Sequence, residues 1–106
     1  KDFLVSKKNF LIFDQKSNLD NSKEVKSRES AIRGFFPFME SMNFCLNSDM
    51  KLDLTKIGDL PTQNCCIMGF TWLLYTIILE NEKNDFVKDF FKKIKNPIII
   101  HMEKIE

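Results

Sequence analysis

The chain has 106 residues, a formal net charge of +1, and is 43% hydrophobic and 29% charged; that suits one globular domain and is too apolar for a disordered one. So small a net charge excludes the global field that draws a protein to nucleic acid or to an anionic membrane. Three glycines and three prolines beside eleven phenylalanines leave too few turn formers for a sandwich or barrel, and argue for helices.

The chain opens at Lys1, and Phe3-Leu4-Val5 is broken by Ser6-Lys7-Lys8-Asn9, which does not read as a signal peptide. The expectation is a domain cut from a larger protein. Phe3-Leu4-Val5 and Phe10-Leu11-Ile12-Phe13 lie seven residues apart, a spacing that suits one face of a helix, although the second clump alone suits a short buried strand equally. The stretch at about 14–27 is polar, charged and rich in Asn, Asp and Ser, and reads as a flexible linker or loop. Ser27–Asn47 has a capping Ser27 and apolar residues at three- and four-residue steps, which predicts a helix broken near Gly34–Phe36 by Pro37. Met50, Leu52 and Leu54 alternate with polar residues, as in an extended connector laid across helices.

Cys65–Leu79 (CCIMGFTWLLYTIIL) is an almost unbroken apolar run. With Pro61 in the first turn it predicts a central helix over about 61–82, greasy on every side and wrapped by its neighbours. Asn84-Asp85 caps an amphipathic helix bearing Phe86, Val87, Phe90, Phe91 and Ile94, with acids early and Lys92, Lys93 and Lys95 late, as the helix dipole favours. Asn96-Pro97 announces a further short helix over 98–105; a strand through Ile98, Ile100 and Met102 is the alternative, since Ile-Ile-Ile favours β structure. The expected fold is therefore all-α: four to six helices around a buried central one, in the manner of a HEAT-like or α-solenoid fragment. Residues 1–106 form a single domain.

Chemistry is sparse. The apolar run supplies 15 residues where a membrane span needs about 20, and acidic residues flank it, so no membrane span is expected. Cys45, Cys65 and Cys66 are an odd set, and adjacent cysteines violate zinc spacing. They read as buried, inert thiols in an intracellular protein of the cytoplasm or nucleus, with a bridge from Cys45 to Cys65 or Cys66 left open. His101 stands alone. No Gly-rich phosphate loop and no calcium loop occur. No enzymatic activity, cofactor or metal is expected.

What stands out is apolar excess. Phe35, Phe36, Phe38 and Met39 around Pro37, with Phe10 and Phe13 of the N-terminal clump, are the candidate partner-binding residues, because aromatic and Met side chains typify interface cores. The expected function is a non-enzymatic scaffold or adaptor domain that docks another protein, or a second copy, through an apolar helix surface. The alternative is a small helical viral or host-modulating protein that binds a host factor. A nucleic-acid-binding helical module, resting on Lys88, Lys92, Lys93 and Lys95, comes third; with ordinary solvated lysines in that pattern, nucleic acid is not an expected partner.

Overall fold

The computed structural model of the chain describes residues 7–15 and 29–102. It corrects the fold expectation: the protein is not all-α. It is a small α/β domain built on a four-stranded parallel sheet. Strands β1 (Lys8–Phe13), β2 (Met39–Phe44), β3 (Cys65–Phe70) and β4 (Ile98–Met102) lie in the order β2-β1-β3-β4. The helical residues are 29–33 (α1), α2 (Thr71–Glu80) and α3 (Asp85–Lys93), with short 3-10 turns at Phe36–Phe38 and Ile57–Asp59. Among the described residues there are no stacked solenoid hairpins. The linker expected at about 14–27 falls almost wholly outside the described residues, as do Phe3-Leu4-Val5, Ser27 and Glu103–Ile105.

The central strands show why periodicity misled. β1 places Leu11 and Phe13 on one face of the sheet and Phe10 and Ile12 on the other, and all four are buried. β3 divides likewise, Cys65 and Ile67 against Cys66 and Met68. A parallel strand covered on both faces reads as a continuous apolar run, and such a run looks the same as a buried helix. The run Cys65–Leu79 is therefore two elements, a strand and a ten-residue helix joined at Phe70-Thr71, and Pro61 lies in the extended approach to the strand.

Other boundaries shift for local reasons. The expected Ser27–Asn47 helix is helical over 29–33 of its described part; Pro37 then sits in the first turn of Phe36–Phe38, where its missing N–H is no loss. Met39–Phe44 continues as an edge strand against β1. The alternating stretch after Ser48 is a loop pinned by an antiparallel bridge between Leu46 and Leu52 and by the Asn47 side chain, which accepts from the N–H groups of Asp49 and Lys51. Residues 98–102 are a strand rather than a helix, entered through Asn96 at φ 48°. α3 forms where its sequence places it, with Asn84 Oδ1 accepting from the N–H groups of Phe86 and Val87.

Each face of the sheet has its own core. Leu73, Leu74 and Ile77 of α2, Val87 and Phe90 of α3, and the 45–60 loop through Cys45, Leu46, Leu52 and Ile57 cover one. On the other, Ile32 of α1 joins Phe10, Ile12, Cys66 and Met68, with Phe35 and Phe38 packed alongside. Burying each such large side chain contributes about 1.5–3 kcal/mol. Asn64 registers the centre of the sheet: its Oδ1 accepts from Lys8 Nζ at 2.8 Å, its side-chain amide donates to the Lys7 carbonyl, and its own carbonyl accepts from the Asn9 N–H.

Candidate functional site

In an open parallel sheet, ligands usually collect at the carboxyl ends of the strands where the order reverses, here between β1 and β3. Asp14 ends β1 there and is buried, 2% exposed. Its carboxylate accepts from the Gln15 N–H at 2.8 Å and its carbonyl from the Leu46 N–H, so it is engaged in closing the strand into its loop. Nearby, Thr71 Oγ1 and His101 Nδ1 lie 3.3 Å apart. Among the described residues this edge gathers polar side chains that are hydrogen-bonded to the fold itself.

The cysteines add none. All three are unpaired and buried. Burial pushes the Cys45 thiol up to about 12 and the Cys66 thiol up to about 11, and raises that of Cys65. A thiol so desolvated keeps its proton and is a poor nucleophile. Cys65 and Cys66, expected on a helix, project to opposite faces of β3 and sit in separate cores. Among the described residues no group of three His, Cys, Asp or Glu side chains is arranged to hold a metal ion. No helix among them is long and apolar enough to cross a membrane.

Of the six residues singled out from the sequence, Phe10 and Phe13 are core, each 2% exposed, and offer no surface. Phe35, Phe38 and Met39 are half-buried against the second core; Phe10, Phe35 and Phe38 form a chain of tilted rings with centroids 6.1 and 6.4 Å apart. Phe36 alone of the group stands well out, 49% exposed. The Pro37 turn thus folds most of its aromatics inward.

Among the described residues the largest clustered apolar exposure lies on α2. Leu73, Leu74 and Ile77 face the sheet, whereas Trp72, Tyr75, Ile78 and Leu79 face out at 56%, 64%, 56% and 47% exposure. Positions 72, 75 and 79 recur at three and four residues and so share one helix face. Its only charged residue is Glu80 at the C-terminal end, which meets Lys51 at 2.9 Å. This face is not legible in the sequence, because a run apolar all round reads as one wrapped all round. Once the first six residues of the run are given to a strand, the remaining nine belong to a helix that lays one side on the sheet and leaves the other out.

Beside it opens a pocket of about 520 Å³. Phe13 and Ile67 of the central strands, Leu74 and Ile78 of α2, Val87 and Phe91 of α3, and Ile99 of β4 form its wall, which is almost entirely apolar. Phe13 stacks on Phe91 with centroids 6.2 Å apart. Lys88, Lys92, Glu82, Asn81 and His101 complete the lining through their hydrocarbon parts. Gly69 shapes the place: a Cβ there would lie 3.0 Å from Phe13 Cβ and 3.3 Å from two Leu74 carbons, so its lack of a side chain lets α2 approach the sheet.

Compared with known protein families, with curated proteins and with solved structures, the chain matches none of them.

Proposed function

We propose that the domain is a non-enzymatic interaction module, working inside the cell, whose docking face is the outer side of α2. The observation that supports this reading is the contiguous exposure of Trp72, Tyr75 and Leu79, with Ile78 at the edge that turns into the pocket. Soluble proteins rarely leave so much clustered apolar surface on one element without an interaction to bury it. Trp and Tyr are the residues that most often anchor interfaces, being large, stiff and amphipathic. Three unpaired buried thiols fit a reducing compartment. Phe36 lies outside this face and is not assigned to it.

The test is a photo-crosslinking residue placed at Tyr75 or, as a control, at Lys83, with the protein expressed in its native cells. A discrete adduct from position 75, absent from position 83 and lost on adding Leu79→Lys, is the expected result; an adduct of twice the chain mass identifies a second copy as the partner. Position-independent labelling, or an adduct indifferent to Leu79→Lys, refutes the assignment. Both positions are exposed, so the fold tolerates the changes.

A further inference from the structure

We propose that the pocket between α2, α3 and β4 binds a small amphipathic anion: an unbranched alkyl body lodged on Ile67, Ile78 and Ile99, with one carboxylate head at the α3 lip beside Lys88 and Lys92. The volume, about 520 Å³, lies within the range of roughly 300–1,000 Å³ usual for small-molecule sites. A wall this apolar recognises a hydrocarbon body and supplies no hydrogen bond to orient it.

Orientation comes from the mouth. Lys88 and Lys92 lie one helical turn apart, so both reach the same lip. They line the pocket only with their stems, which leaves the ammonium groups at the opening, as long cationic side chains on apolar surface do. Among the described residues neither lysine makes an ion pair; Asp85 and Asp89 of the same helix do not line the pocket. The α2 lip has the opposite sign. Glu82 stands there, and α2 presents its partly negative C-terminus. The Asn81 side-chain amide is already committed, donating to the Ile77 carbonyl at 2.9 Å. The mouth is therefore polarised, attracting an anion to α3 and repelling it from α2.

The test is a titration of the protein, labelled at its isoleucine and leucine methyls and its tryptophan indole N–H, with dodecanoate, dodecanol and dodecyltrimethylammonium, each kept below its micelle or solubility threshold and followed by NMR. Dodecanoate is expected to give saturable shifts at Ile67, Ile78 and Ile99 and to bind at least tenfold more tightly than the ammonium with the same tail. Lys88→Glu with Lys92→Glu reverses that order. Ile99→Trp, at a half-exposed wall position, blocks binding while the folded spectrum persists. Three head groups binding equally, or no saturable shift at these isoleucines, overturns the proposal. So do shifts confined to Trp72 and Leu79, which place the ligand on the outer face of α2. Tyr75→Lys with Leu79→Lys removes the docking face and leaves dodecanoate binding unchanged, so this proposal and the interaction reading fail separately.

Discussion

Gly69→Ala isolates how closely α2 sits on the sheet. No glycine of the described chain has a positive φ, so alanine fits the backbone of residue 69 and the effect of the change is one of space. The new methyl would meet Phe13 Cβ at 3.0 Å and Leu74 Cγ and Cδ2 at 3.3 Å. Leu74 can turn aside; Phe13 Cβ is fixed to the central strand and its ring to Phe91. Overpacking of this kind costs about 1–3 kcal/mol, and the loss of glycine's unfolded-state freedom offsets about 0.4–1 kcal/mol of it. The net expectation is a destabilisation of roughly 0.5–2 kcal/mol. For 106 residues, an unfolding entropy of roughly 2.1 cal/mol/K per residue makes each kcal/mol worth about 4–5 °C in Tm. Urea unfolding of Gly69→Ala, Leu74→Ala and the double variant reads both the size and the source. With Leu74 cut back, two of the three contacts vanish, so the alanine penalty shrinks by about 0.5–1.5 kcal/mol without reaching zero. A single variant as stable as the parent, or strict additivity in the double, refutes the packing account.

Asn84→Ala removes the acceptor for the Phe86 and Val87 N–H groups and is expected to lower stability by about 1 kcal/mol, with Asn84→Asp close to neutral; an unchanged urea midpoint for the alanine variant contradicts the capping role. The buried thiols set an alkaline limit. Cys45 and Cys66 hold their protons in the folded chain up to about 12 and about 11, against 9.0 for a free thiol. The unfolded chain gives them up first, so stability is unaffected by these groups below pH 9 and falls as pH rises towards 11–12, by at most about 1.4 kcal/mol per pH unit for each thiol. Comparing urea midpoints at pH 8 and pH 10, the parent should lose more than Cys66→Ala; equal losses show that these thiols are not the cause.

The parts legible in the sequence were those decided locally. Asn84, Asp85, Lys92 and Lys93 mark α3 from both ends, because capping and dipole effects act within a turn. The sheet was not legible, because the fact that decides it is long-range. Phe10–Phe13 becomes a strand only when Met39–Phe44 and Cys65–Phe70 lie on either side of it, and apolar residues buried on both faces carry no period to betray it. Cys65–Cys66 made the same point in reverse: next to each other in sequence, they lie on opposite sides of the sheet. The exposure of Trp72, Tyr75 and Leu79 is hidden in the same way, since it follows from α2 resting on the sheet by one side alone. The lysines at the pocket mouth look like any solvated helix face until β4 is in place opposite them.

The placement of β1 at the centre has a kinetic consequence. Of the four described strands β1 is synthesised first; its partner β2 begins only at residue 39, and its second flank stays open until Cys65–Cys66 can pair with Asn9–Phe10. β1 with β2 and β3 with β4 are consecutive in sequence and neighbours in the sheet, whereas the central pair, β1 and β3, must close across all of β2 and the 45–60 loop. Closing loops this long before any pairing compensates them makes for slow assembly. Through that interval Phe10-Leu11-Ile12-Phe13 is an unpaired, strongly β-forming segment, the kind that seeks strands of other chains. The same burial that makes β1 the most protected part of the finished protein makes it the most vulnerable part of the nascent one.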